Sequence, residues 1–513
     1  MTDAPSKPDC DFDLVIIGGG INGAGIARDA SGRGLKVMLC EKDDLAQHTS
    51  SASTKLIHGG LRYLEHYDFM LVRHALQERE VLLNAAPHII WPLRFILPHH
   101  TELRPRWLIR VGLFLYDHIG GRKKLPASHS VNLKTHVAGS ALKAEFTHGF
   151  EYSDCWVQDA RLVVLNAMDA AARGCDVRVR TEVTDLVREQ GHWTVHLCDN
   201  NSQEVSSVTA RAVVNASGPW VVKTLDLDEE HDSRYSTRLV KGSHIVVPKL
   251  FDHPYTYIFQ NADNRIIFAV PYEQHYTLLG TTDMEVDDEP GAVTIDPSEI
   301  EYICSAASEY FATAVKPADV VWSYSGVRPL YDDDSSNASK VTRDYKLDLD
   351  NRNEAPVLSV YGGKITTYRK LSDDAMKLLS EHLSVTSEDW TRHQPLPGGD
   401  MPDANFDRYF DEVKTQYPWI DDAVLMDYVR NYGTCVHTLL DGSTEPSHLG
   451  QSFGPQLYQV EVDYLVRHEW AQSVDDIVWR RTKKGLSMSA DDLDRLREYL
   501  GSMAERATGS DAA

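Results

Sequence analysis

Three glycines at positions 18, 20 and 23 stand directly behind the apolar run Phe12–Ile17 and open a helix-compatible stretch over residues 21–33. This is the pattern GxGxxG between a strand and a helix. Gly18 permits a tight turn, Gly20 lets the backbone approach a pyrophosphate with no Cβ in the way, and Gly23 with Ala27 allows the helix to lie close on the strand. The helix N-terminus then offers unpaired N–H groups and the positive end of its dipole to phosphates. A second apolar run, 35–40, ends at Glu41, eighteen positions after Gly23. An acid there accepts hydrogen bonds from adenosine ribose hydroxyls and disfavours a 2′-phosphorylated cofactor. The pattern predicts a dinucleotide site and leaves FAD and NAD both open.

Other chemistries fail on their spacing. Gly362-Gly363-Lys364 lacks a Ser or Thr after the lysine, so it is no P-loop, and neither HExxH nor GxSxG occurs. The seven cysteines form an odd set with no CxxC, which reads as reduced thiols and predicts no structural metal.

The elements that must position these residues follow from the pattern of apolar runs. Residues 12–41 read as a βαβ unit, and 69–86 as a helix with apolar residues at helical spacing. Strand-like runs at 176–181, 193–198, 212–215, 244–247, 265–270 and 277–280 imply at least one further, mixed sheet. A strand at 358–361 runs into Gly362-Gly363 and a helix from Thr366, repeating the N-terminal device. Pro395-Leu396-Pro397-Gly398-Gly399 reads as a linker, because two prolines and two glycines continue neither helix nor central strand. Beyond it the chain reads as mostly helical. The domains are expected as 12–394, interleaved, with cofactor segments near 12–65, 155–220 and 320–375 and a substrate sheet mainly over 230–320, followed by a helical domain over 395–513.

The 513 residues, 42% hydrophobic and 25% charged, suit a soluble multidomain enzyme. Fifty-two Lys and Arg against 76 Asp and Glu give a net charge of −24, a field that repels a phosphate backbone, so nucleic acid is excluded as a partner. The N-terminus has no basic region followed by an apolar stretch, and no apolar run approaches the roughly 20 residues that span a bilayer. A cytoplasmic protein is expected.

The segments DLVIIGGGINGAGIARDA, SSASTKLIHGGLRYLEH, FEYSDCWVQDARLV, VVNASGPWV, KGSHIVVP, YSGVRPL and YGGKITTYRKL, in this order, together resemble the FAD-dependent, quinone-linked glycerol-3-phosphate dehydrogenases. The resemblance runs from about residue 12 into the C-terminal domain. It implies an α/β fold: a Rossmann-like FAD-binding domain of the glutathione-reductase type, a mixed-sheet substrate domain and a helical C-terminal domain. It also implies oxidation of sn-glycerol 3-phosphate to dihydroxyacetone phosphate, in glycerol metabolism, by hydride transfer to FAD, with a membrane quinone as electron acceptor. FAD is long and needs several contacting segments. The resemblance assigns to it Gly18, Gly20, Ile21, Asn22, Gly23, Glu41 and Lys42, then Thr49, Ser50, Ser53, Lys55, Leu56, Ile57 and His58. It adds Val183, Ala216, Ser217, Gly218 and Gly326, and finally Gly362, Gly363, Lys364, Ile365 and Thr366. The last stretch sets a helix N-terminus where negative charge develops at the flavin N1–C2 carbonyl locus.

For the phosphate ester and the reacting alkoxide, the resemblance points to Arg62, Arg328, Arg343 and Lys364, with Tyr63 and Thr366 beside the substrate. The Arg fork binds two phosphate oxygens at once, and each sheltered charge-assisted bond is worth about 1.5–3 kcal/mol. His244 in KGSHIVVP is the candidate base, with Arg328 or Lys364 stabilising the alkoxide if water takes the proton instead. His58 reads as a cofactor contact.

A quinone acceptor requires a membrane surface, so peripheral attachment to the cytoplasmic face of the inner membrane is expected, and the resemblance adds a homodimer. Two segments carry basic residues for this. Residues 101–124 surround Trp107, Leu108, Ile109, Val111, Leu113, Phe114 and Leu115 with six cations, and Trp479-Arg480-Arg481-Thr482-Lys483-Lys484 is a compact basic run. For 107–116 the residues themselves favour an ordinary buried helix over an interfacial one. The rival functions are an O2-using flavin oxidase of the same fold acting on a glycerol phosphate or amino acid, a non-catalytic flavin module, and an NAD-linked dehydrogenase.

Overall fold

β1 (Phe12–Ile17) runs through the parallel centre of an eight-stranded mixed sheet, and its last four residues are all buried. Such a strand is covered on both faces, which is why its sequence is continuously apolar rather than alternating. It pairs in parallel with β2 (Val37–Cys40) on one side and with Val205–Asn215 on the other. Val357–Tyr361 follows beyond the latter and Asp176–Arg178 beyond β2. The computed structural model describes residues 9–229, 236–261, 263, 265–286, 290–291, 293–331, 344–385 and 388–510.

α1 (Ile21–Gly32) lies between the helices Asp159–Ala172 and Tyr368–Leu383 and is buried along nearly its whole length. Its glycines and alanines make that possible. A Cβ on Gly23 would sit 1.9 Å from the Gly18 carbonyl oxygen, so only glycine lets the helix start this close to the turn.

The second sheet has ten strands among the described residues. Its spine is Thr237–Pro248, paired over its length with Trp322–Tyr331 and at one end with Tyr276–Gly280. The order continues through Ile266–Tyr272, Thr256–Gln260, Ile90–His99 and His148–Val157. Four strands before residue 160, these last two with Leu56–Ile57 and His129–Asn132, therefore complete a sheet expected mainly from 230–320. The expected strands at 176–181, 193–198 and 212–215 join the first sheet instead. Apolar alternation marks a strand, but its partner is chosen by packing between distant segments.

α2 (Phe69–Ala85) has the predicted helical spacing, and its buried stripe includes Leu71, Val72, Ala75 and Leu76. α3 (Arg106–Ile119) departs from expectation. Only Leu113, Tyr116 and Asp117 are buried, while Trp107 is 68% and Phe114 54% exposed, with Val111 and Leu115 beside them. Its apolar residues form two stripes, and one faces outward. Among the described residues, no helix is long and apolar enough to cross a membrane.

Residues 401–500 build a separate, largely helical core around Leu425, Tyr428, Tyr432, Leu465, Ile477 and Leu496. The proline–glycine segment before it is a packed seam rather than a tether. Leu396 is buried, its N–H donates to the Ala85 carbonyl at 2.9 Å, and a Cβ on Gly399 would meet that same oxygen at 2.1 Å. The basic run at 479–484 is not a surface. Arg480 and Arg481 pair with Asp44, Lys484 pairs with Glu461, and Trp479 stacks on Trp322 at 4.6 Å.

Candidate active site

Two cavities of about 390 and 290 Å³ lie between the sheets and join where Ile21, Thr49, Ser50, Pro329, Gly362 and Gly363 line both. The first starts at the β1–α1 turn. Gly18 has φ +109°, and a Cβ there would come 2.6 Å from the Ala216 carbonyl oxygen. Gly20 carries no Cβ to push against Ser50, whose Oγ accepts the Ile21 N–H at 3.0 Å. The backbone at the helix start is thus laid bare toward the cavity.

At the far end Glu41 is 7% exposed. Its carboxylate accepts the Gly19 N–H at 2.6 Å and the Asp43 N–H at 2.8 Å, leaving acceptor capacity toward the cavity. Burial pushes its pKa up, opposed by those N–H groups and by His48. Lys42 lies over the Trp220 ring at 4.0 Å, and His48 meets the same indole edge-on. Val183, Ala216, Ser217 and Gly218 complete the wall. Asn22 donates from Nδ2 to the Gly362 carbonyl at 3.1 Å, while its Oδ1 is buried with no hydrogen-bond partner among the described residues.

The second cavity gathers cations. Arg62, Arg328 and Lys364 all line it, with Tyr63, His58, Thr366 and Gly326. Lys364 Nζ sits 3.7 Å over the Tyr63 ring. Arg328 pairs with Asp283 and donates to Thr281 Oγ1 at 3.3 Å. Arg62 makes no ion pair or hydrogen bond with any described residue. The His58 N–H donates to Thr366 Oγ1 at 3.2 Å, which ties the loop 58–63 to the start of the helix Tyr368–Leu383. Phe95, Tyr152, Ile258 and Phe268 form an apolar wall opposite.

Several expected residues stand elsewhere. Lys55 points behind its loop and is 1% exposed, held by both oxygens of Asp159 at 2.8 and 2.9 Å. Ser53 donates to the same carboxylate at 2.8 Å while still edging the cleft. Ile57 is core, Leu56 and Ile365 touch the cavity, and Gly23 serves packing. His244 does not line the cleft. It is 1% exposed, stacked on Tyr324, and reaches the cavity wall only through Thr54, whose Oγ1 is 3.0 Å from Nε2. Burial, with the charges of Arg328 and Lys55, holds its pKa well below the usual histidine value. Arg343 lies outside the described residues.

The structure also brings in groups that the motifs did not single out. Asp154 lines the cleft, and the Tyr116 hydroxyl donates to it at 2.8 Å while accepting the Gly59 N–H at 2.7 Å. Burial raises the Asp154 pKa to about 6 against the pull of Arg79 and Tyr116. Gly242 makes room for Arg328, since a Cβ there would lie 2.7 Å from Nη2. Asp154 and Gly242 sit inside FEYSDCWVQDARLV and KGSHIVVP, so the segments were visible although these side chains were not picked out.

A long two-lobed cleft, with bare backbone at a helix start, an acid at one end and an orphaned Asn22 acceptor between the lobes, fits an FAD. Residues 13–347 match the family described as FAD dependent oxidoreductase, and 390–513 match the C-terminal domain of alpha-glycerophosphate oxidase. A glycerol-3-phosphate dehydrogenase of Pseudomonas aeruginosa is 50% identical over 500 residues, 97% of each chain. A D-erythritol 1-phosphate dehydrogenase of Brucella abortus is 50% identical over 477 residues, 93% of this chain and 95% of that one. The glycerol-3-phosphate dehydrogenase from Bacillus halodurans, solved with FAD, superposes with a TM-score of 0.75 at 27% identity, over 92% of this chain and 86% of the other. The chain belongs to the FAD-dependent glycerol-3-phosphate dehydrogenase family, and FAD is its cofactor.

Proposed function

We propose that the protein oxidises sn-glycerol 3-phosphate to dihydroxyacetone phosphate and passes the electrons to a membrane quinone. The observation that carries this reading is the convergence of Arg62, Arg328 and Lys364 on one lobe of the cofactor cleft, in a chain whose net charge is −24. Asp154, Asp283 and Asp344 share the lobe and Arg328 pairs with Asp283, but Arg62 has no described partner of its own, which leaves it for a bound anion. Arg62 and Arg328 bind the phosphate, and Lys364 faces the hydroxyl that loses its hydrogen. Tyr63 fixes the lysine through its ring, and Thr366 fixes the loop that carries His58. FAD, when bound, supplies the acceptor for the hydride. The hydroxyl proton goes to His58, the histidine lining this lobe among the described residues. His244 backs the wall through Thr54.

Membrane contact belongs to α3. Its outer stripe of Trp107, Val111, Phe114 and Leu115 is exposed beside Arg104 and Arg106, the make-up of a helix lying in a lipid interface. Attachment at the cytoplasmic face of the inner membrane is the reading that accompanies a quinone acceptor.

Anaerobic addition of sn-glycerol 3-phosphate to the purified yellow protein should bleach the flavin band, whereas glycerol and the opposite enantiomer should not. Bleaching by D-erythritol 1-phosphate alone would overturn the substrate, and rapid peroxide formation in air in place of quinone reduction would overturn the acceptor.

A further inference from the structure

The segment 476–484 is largely buried, charged and remote in sequence from every cofactor motif, yet it has partners in the loop that walls the adenosine end of the cleft. Arg481 is 0% exposed and places its fork on both oxygens of Asp44, at 2.6 and 2.8 Å, while Nε donates to the Glu469 carbonyl at 3.0 Å. Arg480 Nε donates to the same Asp44 oxygen at 2.5 Å. The turn that carries them is widened: residues 476–481 form a π-helix, and the Thr482 N–H reaches back five residues to the Ile477 carbonyl at 2.8 Å. At its start Asp476 accepts Arg180 Nη2 at 2.8 Å. Arg180 in turn donates its backbone N–H to Asp43 at 2.9 Å and its side chain to Gln47 at 3.3 Å.

The loop so gripped is the cofactor wall. Glu41, Lys42, Gln47, His48, Thr49 and Ser50 line the first cavity, and Asp44 stands among them with its carboxylate turned away from it, 1% exposed. A carboxylate buried this deeply cannot be left unpaired. Remove its cations and the loop has to open to hydrate it.

We propose that the C-terminal domain is a clamp on the adenosine half of FAD, with Arg481, assisted by Arg480, as a positioning residue acting through Asp44. The buried carboxylate links the two domains so that the wall keeps its shape only while the arginine fork is seated.

The test uses the full chain. FAD affinity is measured by titrating apoprotein and by following flavin fluorescence released from diluted holoenzyme, and apoprotein melting is recorded in parallel. Arg481→Gln should weaken FAD by about tenfold or more, with FMN, which lacks the adenosine half, affected far less. Asp44→Asn combined with Arg481→Gln should recover much of the loss, because no unpaired charge then remains. Lys484→Met breaks a buried pair within the C-terminal core. It should lower melting without changing FAD affinity. Arg480→Gln, at a partly exposed site, gives a smaller loss of the same kind and decides the matter if Arg481→Gln does not fold. The clamp is overturned if Arg481→Gln and Arg480→Gln keep the parental FAD affinity, or if FMN and FAD weaken equally, or if Lys484→Met loosens FAD as much as they do.

Discussion

Replacing Arg62 by Gln removes a charge-assisted bond to phosphate that is made equally in the ground and transition states, so it should raise KM about ten- to hundredfold and change kcat far less. Steady-state kinetics on Arg62→Gln, with Arg62→Lys restoring part of the loss, checks this. A fall in kcat with KM unchanged would move Arg62 from binding to chemistry. The two histidines separate in the same assay: His58→Gln should cost about a hundredfold in kcat, and His244→Gln only a few-fold. The reverse order would return the base to His244. Spacing made the first glycine turn legible, and the resemblance to a known family pointed to the cations, of which Arg62, Arg328 and Lys364 follow glycine turns. For His244, a strand sequence tells which face a side chain takes but not what lies over that face, and here the Thr54 loop covers it. The pairing of Lys55 was hidden for the same reason, its partner Asp159 being 104 residues away.

α3 shows how an element can satisfy two surroundings at once. Its inner side delivers Tyr116 to Asp154 and Gly59, beside the substrate loop, and its outer side is an apolar stripe. Composition alone reads both stripes as one buried helix. Trp107→Ser with Phe114→Ser should abolish flotation with anionic-lipid vesicles and leave melting unchanged, since neither side chain is packed in the fold. Unchanged flotation would remove α3 as the contact. The opposite error occurred at 479–484, where a basic run that looks like a lipid-facing patch is consumed by buried carboxylates. Charge in a sequence has no sign of burial attached to it, and Asp44 lies 437 residues from Arg481.

Taken whole, the molecule was legible where order along the chain matched order in space, as in the strand–glycine–helix unit and its repeat at 357–366. Strand membership of the two sheets was not, because segments before residue 160 return to complete a sheet built mostly after 230. The same long-range ties give an acid dependence. Burial would raise the Asp476 carboxyl, but Arg480, the Gln472 N–H, Ser473 and Arg180 hold it down to about 2. A folded pKa below the unfolded one means that the unfolded chain binds the proton more readily, so this stabilisation is present above about pH 4 and is lost as pH falls toward 2. Melting followed from pH 5 down to 2 should fall less steeply in Asp476→Asn than in the parent. An unchanged slope would exclude Asp476 as the group.

Because Asp44 leaves the ribosome 437 residues before Arg481, and synthesis adds about 5–20 residues per second, the nascent chain carries an uncompensated carboxylate beside its nucleotide fold for roughly 20–90 s. The adenosine wall closes only once residue 481 has been made. Chains truncated before residue 480 should therefore hold FAD about tenfold more weakly than the full chain, or worse.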